Sequence, residues 1–254
     1  MTTPKFCPTS SPILLPLSLS ESIPIKKSWT APPNIHPKTI HKNAAGAEVE
    51  KKTFEEAIVV DVRWRKEYAR GHAINAVNLP IKLFKNNSDV LDEYKDKDII
   101  LYCVVDVTSR NTEKLLRERG FTKLHIGDGI KQYDYGKAIY SNVLLSEFKY
   151  RISVSKNKQF LNLGSEIFSD EEIKVSPNEI DSILDKLNKD SEIFVYSDKP
   201  EESKEVCKKL GLAGYTIFNL IEPFNTAKYR NAFYNKNDYV ETQADQEASS
   251  CGWA

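Results

Sequence analysis

The sequence predicts an α/β protein built on a parallel sheet, and three observations carry that reading. Two short runs, Ala57-Ile58-Val59-Val60-Asp61-Val62 and Ile99-Ile100-Leu101-Tyr102-Cys103-Val104-Val105, are apolar at consecutive positions rather than at alternate ones. Strands covered on both faces read this way, and that is the condition of strands in a parallel sheet. Each run is followed by a stretch of helical character, so strand, loop, helix and strand succeed one another as βαβ units.

The elements follow in order. Charged Arg65, Lys66 and Glu67 around Tyr68 predict a helical turn after the first strand. The turn Lys95-Asp96-Lys97-Asp98 precedes the second strand, after which Leu115 and Leu116 supply the apolar face of a helix and Gly120 its stop. The passage then recurs. Ile193-Phe194-Val195-Tyr196-Ser197 is again a strand ending in a small polar residue, and it maps position 103 onto 197, an offset of 94. The same offset pairs Ser109 with Ser203, Leu116 with Leu210, Gly120 with Gly214 and Phe121 with Tyr215, without a gap. Internal duplication into two similar domains accounts for this register. Phe160-Leu161-Asn162-Leu163-Gly164 is the expected first strand of the second unit, which lacks a counterpart of the charged segment after Asp61.

The expected organisation is a leader at 1–45, a domain at 46–145 carrying Cys103, a degenerate second domain at 150–234 and a mobile tail at 235–254. The leader is rich in Ser, Thr and Pro, its one acid is Glu21 and it has no arginine, which predicts disorder. An organellar transit segment is the alternative, so the expected location is the cytoplasm or, failing that, an organelle.

Composition excludes several classes. The 254 residues carry 36 basic and 36 acidic side chains, so no electrostatic footprint for nucleic acid or an anionic membrane is expected. No run approaches the roughly 20 apolar residues of a membrane span. Cys7, Cys103, Cys207 and Cys251 are far apart, with no C-x-x-C pair and no histidine at ligand spacing, so neither a metal site nor a disulfide framework is expected.

Asp61-Val62-Arg63, then Glu67-Tyr68, Gly71-His72 and Ala76-Val77-Asn78-Leu79-Pro80, resemble the first signature of the rhodanese-like family. Tyr102-Cys103 resembles the strand end bearing that family's reactive loop, and Gly129-Ile130 with Tyr133 resembles its closing Gly-Ile-x-x-Trp segment. The resemblance covers residues 46–145 well and 150–234 weakly. It implies a parallel sheet with helices on both faces, in two tandem copies, and sulfur transfer through a persulfide on Cys103. A persulfide donor and a thiol acceptor, each a small molecule or a protein, are the implied partners, and no cofactor is implied.

The loop itself departs from the pattern. The family's usual Cys-x-x-Gly-x-Arg-Ser reads Cys103-Val104-Val105-Asp106-Val107-Thr108-Ser109 here. Length and Ser109 are kept, but Asp106 replaces the glycine and Thr108 the arginine. Asp106 works against an anion at the sulfur, and Thr108 has no guanidinium fork for a sulfonate-like group. Arg110 reaches the loop only by folding back, and Arg63 is a fold residue that alternatively lines the pocket. A thiosulfate-optimised enzyme is therefore not expected. Tyrosine phosphatases of related fold need a loop one residue longer with an arginine where Ser109 stands, which argues against that activity. The second unit has Ser197 at the cysteine position, followed by Asp198-Lys199-Pro200-Glu201-Glu202, and no sulfur nucleophile. Cys207 and His72 read as packing and fold residues. Cys251 reads as a stray tail thiol, with a resolving role the alternative. Two functions remain: a sulfurtransferase fed by a persulfide, or an inactive module that binds a protein partner.

Overall fold

The computed structural model of the chain describes residues 43–167 and 171–225. The first half runs α1 (Gly46–Val49), β1 (Ile58–Asp61), α2 (Arg65–Ala69), β2 (His72–Ala73), β3 (Ala76–Asn78), α3 (Ile81–Lys85), β4 (Ile99–Tyr102), α4 (Val107–Glu118) and β5 (Leu124–Ile126). The second runs β6 (Lys137–Ala138), β7 (Ser141–Val143), α5 (Leu145–Val154), β8 (Lys158–Asn162), β9 (Ile173–Lys174), α6 (Ile180–Ile183), β10 (Glu192–Tyr196), α7 (Pro200–Leu212) and β11 (Thr216–Leu220).

Nine of these strands form one sheet in the order β5-β4-β1-β3-β7-β11-β10-β8-β9, and β2 pairs with β6 apart from it. Every pairing in the large sheet is parallel. The consecutive apolar runs follow from double coverage. Ile58 and Val60 of β1, with Ile99 and Leu101 of β4, pack against Leu83 and Leu116 from α3 and α4. Val59, Ile100 and Tyr102 point the other way, onto Val49 of α1 and Tyr135. In the second half Leu161, Ile193 and Val195 face Val206 and Leu210 of α7, whereas Phe160, Phe194 and Tyr196 face Phe148 and Ile152 of α5. Helices cover both faces, as predicted.

The two halves share one strand order. Ala44 bridges Gly127 beside β5, so the first half reads Ala44, β5, β4, β1, β3, and the second reads β7, β11, β10, β8, β9. Chain order runs identically through both series. Local geometry repeats at the 94-residue offset too. Ser109 Oγ donates to Asp106 O at 2.9 Å and Ser203 Oγ to Pro200 O at 2.7 Å. Gly120 and Gly214 both hold positive φ, +90° and +85°, which ends each helix in the left-handed turn that glycine favours. Phe121 N and Tyr215 N then donate back to Leu116 O and Leu210 O, each at 3.1 Å.

The leader boundary needs correction at its end. Ala44 already pairs with the sheet edge, and Ala44 N donates to Ile126 O at 2.7 Å, so Asn43 to Ala45 belong to the fold rather than to the leader. Residues 1–42, with Cys7, and residues 226–254, with the expected tail and Cys251, lie outside the described residues. Among the described residues no helix is long and apolar enough to cross a membrane.

Candidate active site at the Cys103 loop

The sheet sets the site's floor. β1 and β4 run parallel with Asp61 opposite Tyr102, so both strands end at the same edge, one residue before Cys103. Asp61 is fully buried there and accepts hydrogen bonds from Arg63 N (2.9 Å), Arg63 Nη2 (2.6 Å) and Tyr102 Oη (2.9 Å). Arg63 Nη2 also donates to Gly71 O at 3.0 Å. Burial pushes the Asp61 carboxyl up against the pull of its guanidinium partner. Arg63 thus ties the strand end to the next loop.

Cys103 follows β4 and precedes α4, and it is only 2% exposed. Its Sγ lies 3.6 Å from Ser109 Oγ, across the loop. The Ser109 proton already goes to Asp106 O, so the neutral pair is a chain in which the thiol donates to Oγ and Oγ donates to the carbonyl. A sulfur anion reverses this: Ser109 turns its proton onto the sulfur, and Asp106 O keeps Arg110 N at 3.0 Å as its partner. No polar atom is orphaned by the change. Among the described residues, no backbone N–H from Val104 to Ser109 donates to another group. These amides stand at the N-terminus of a twelve-residue helix, where the first backbone N–H groups have no intrahelical partner.

The two substituted positions behave differently from each other. Asp106 has φ +62°, so the loop does require a left-handed residue where the family usually has glycine. Aspartate tolerates that region better than most side chains. Its carboxylate turns away along α4 to Arg110, whose Nη2 lies 3.1 Å from Oδ2. The same Arg110 nitrogen donates to Asn43 Oδ1 at 2.8 Å. The negative charge expected beside the sulfur is therefore paired, and Arg110 has folded back onto the aspartate. Thr108 contributes its carbonyl to Thr112 Oγ1 and supplies no cation. Val105 and Val107 are exposed, while Val104 is half-buried.

A second loop closes the site from behind. Ile130 N donates to Cys103 O at 3.0 Å and Lys131 N to Val104 O at 3.1 Å. Gly129 lies so close to Val104 that any Cβ there would overlap the Val104 carbonyl, which explains a glycine at this position. Asn43 carried no sequence signal, since its partners on the loop are more than 60 residues away.

At the other loop, Ser197 is fully buried and its Oγ accepts Lys199 N at 3.0 Å, while Asp198 accepts the Ser165 hydroxyl at 2.8 Å. Cys207 lies wholly inside the core, and burial pushes its thiol well up. His72 is buried against Tyr68, with ring centroids 3.5 Å apart and Nδ1 donating to Tyr68 O at 3.0 Å.

A doubly covered parallel sheet with a cysteine loop running from a strand end into a helix N-terminus defines a class of α/β domain with a thiol at the sheet edge. Residues 45–133 match the family model of the rhodanese-like domain, and this stretch of the chain is a rhodanese-like domain. The tRNA uridine(34) hydroxylase of Cronobacter sakazakii is 34% identical over 83 residues, which are 31% of this chain and 24% of that protein. That of Escherichia fergusonii is 31% identical over the same shares of the two chains. The chain thus spans about a quarter of the length of these curated relatives. Among solved structures, an Escherichia coli rhodanese with anions is 25% identical and covers 32% of this chain and 95% of its own, with a TM-score of 0.29. A thiosulfate sulfurtransferase from Pseudomonas aeruginosa is 12% identical over 82% of this chain and 46% of its own, with a TM-score of 0.33.

Proposed function

We propose that this chain is a sulfurtransferase that carries sulfur as a persulfide on Cys103. The observation that carries the reading is the loop itself. A cysteine at a strand end faces Ser109 at 3.6 Å, within a run of uncommitted amides at the head of α4. In the loading step the Cys103 thiolate attacks the outer sulfur of a donor persulfide, a new S–S bond forms and the donor leaves as its own thiolate. The donor is a protein or small-molecule persulfide rather than thiosulfate, because Thr108 offers no guanidinium and Arg110 is held by Asp106. The hydroxylases share only the matched module, and their named activity is not part of the proposal.

The second half is, on this reading, a degenerate copy of the first, spanning 150–234 beside a domain at 46–145. Its repeated strand order and repeated helix ends support that, and Ser197 leaves it without a sulfur carrier.

The competing reading is a binding module without catalysis, favoured by the low exposure of Cys103 and the closed Asp106–Arg110 pair. Intact mass separates the two. Incubation with cysteine persulfide should add one sulfur, about 32 Da, that is removed by thiol and never appears on Cys103→Ser. No added mass, with Cys103 slow to alkylate in the folded protein, makes the binding module the better account.

A further inference from the structure

Eight large apolar side chains are exposed among the described residues, and four of them, Trp64, Val105, Val107 and Ile130, sit on segments that meet at Cys103. The sheet explains the gathering. β1 lies beside β4, and β5 lies on the far side of β4, with Leu101 opposite Ile126. The segments leaving Asp61, Tyr102 and Ile126 therefore emerge side by side at one edge. Hydrogen bonds bind them there: Val62 N to Tyr102 O at 3.1 Å, and Ile130 N to Cys103 O at 3.0 Å. Exposure is 39% at Trp64, 41% at Val105, 61% at Val107 and 38% at Ile130, around a cysteine that is 2% exposed.

We propose that these four side chains form an apolar docking rim that receives the sulfur acceptor as a polypeptide segment, a cysteine flanked by apolar side chains. The inference rests on the persulfide reading of Cys103 and names the acceptor class for it. The loop's own charges give a small anion no partner. Within residues 103–110 the formal charges are Asp106 and Arg110, which pair with each other, so the loop holds no free cation for a carboxylate or sulfonate. Clustered exposed apolar groups at a functional edge mark a contact surface, and a tryptophan is the side chain most often found anchoring one. A docked segment also covers the sulfur and removes water from the loop amides that hold its charge.

The transfer balances without an oxidant. The acceptor thiolate attacks the outer sulfur of the Cys103 persulfide, a new S–S bond forms and the old one breaks. The electron pair of the broken bond returns to Cys103 Sγ. Overall, acceptor thiol plus Cys103 persulfide give acceptor persulfide plus Cys103 thiol, the proton passing through solvent.

The test uses the full chain loaded with cysteine persulfide, with loss of the added sulfur followed by intact mass. Acceptors are a capped Leu-Val-Cys-Val-Leu peptide, a capped Glu-Ser-Cys-Ser-Glu peptide and glutathione, compared at equal thiolate concentration. The apolar peptide should react about tenfold faster than the other two, and Val105→Ser with Val107→Ser should remove that advantage. Val107→Ser alone, at the most exposed of the four positions, gives an intermediate loss should the double variant fold poorly. Equal rates for all three acceptors, or equal losses in the variants, overturn the docking rim. A second readout is independent of transfer: the apolar peptide with serine for cysteine, labelled for anisotropy, should bind the unloaded protein and not the double variant. Binding without any loading retires the persulfide reading and leaves the rim standing; loading without binding or peptide preference retires the rim alone.

Discussion

His72 shows how one residue sets a pH dependence away from the reacting sulfur. Burial against Tyr68 lowers its pKa from 6.5 to about 4, helped by the nearby Arg63 charge and opposed by its bond to the Tyr68 carbonyl. The folded value lies below the unfolded one, so the native state binds fewer protons between the two. The stability this gives is complete above about pH 6.5 and is lost as pH falls towards 4, an expected drop of about 3 kcal/mol. Urea midpoints from pH 7 to pH 4 should show that slope, and His72→Gln should flatten it; an unchanged slope in the variant assigns the acid sensitivity to other groups. The Asp61–Arg63 pair makes a larger demand. Asp61→Ala leaves a buried guanidinium with one remaining acceptor, Gly71 O, and should cost roughly 3–5 kcal/mol in chemical denaturation. A loss below about 1 kcal/mol would mean that water reaches Arg63.

At the scale of elements, the loop from Cys103 to Ser109 carries the main functional prediction. Asp106→Gly with Thr108→Arg restores the family's usual loop, relieves a non-glycine φ of +62° and releases Arg110 from its partner. Thiosulfate-dependent thiocyanate formation should rise about tenfold or more relative to the parent chain, since a bidentate cation then faces the donor. Unchanged turnover would show that the substitutions at 106 and 108 are not what sets donor choice. Much of this element was legible in the sequence. Consecutive apolar residues gave both strands, and Cys103, Ser109 and Gly120 each fell where a strand end, a loop and a helix stop need them. The charge of Asp106 was visible, but its neutralisation was not. That depends on a side-chain rotation by Arg110 and on Asn43, which the fold brings in from beyond the expected domain boundary. Such long-range contacts leave no periodic trace. The exposure of Val105 was also hidden, because a β-branched residue directly after a strand reads as its continuation.

At the scale of the molecule, two halves that repeat one strand order are joined edge to edge through β3 and β7, where one register pair, Val77 and Asn142, makes the contact. So short a pairing holds because side chains reinforce it. Asn142 Nδ2 donates to Ile74 O and Ala76 O, Asn219 Nδ2 donates to Asn142 Oδ1 at 2.9 Å, and Ser203 Oγ donates to Asn219 at 2.7 Å. Further along the seam, buried Glu222 accepts Tyr94 Oη and Leu145 N, each at 2.7 Å, linking the first half to the head of α5. These groups are buried and mutually satisfied, so separating the halves would expose several polar atoms and a bare edge of β3 at once. The halves should therefore unfold together. Fluorescence and far-UV circular dichroism should report one coincident urea transition for the full chain, although each half has its own two-faced core. Asn142→Leu removes the shared amide and leaves Asn219 without its acceptor, and it should split that transition or shift it by roughly 2–3 kcal/mol. Two resolved transitions already present in the parent chain would show instead that the single sheet is two independently stable domains in contact, with the Cys103 half able to carry its chemistry alone.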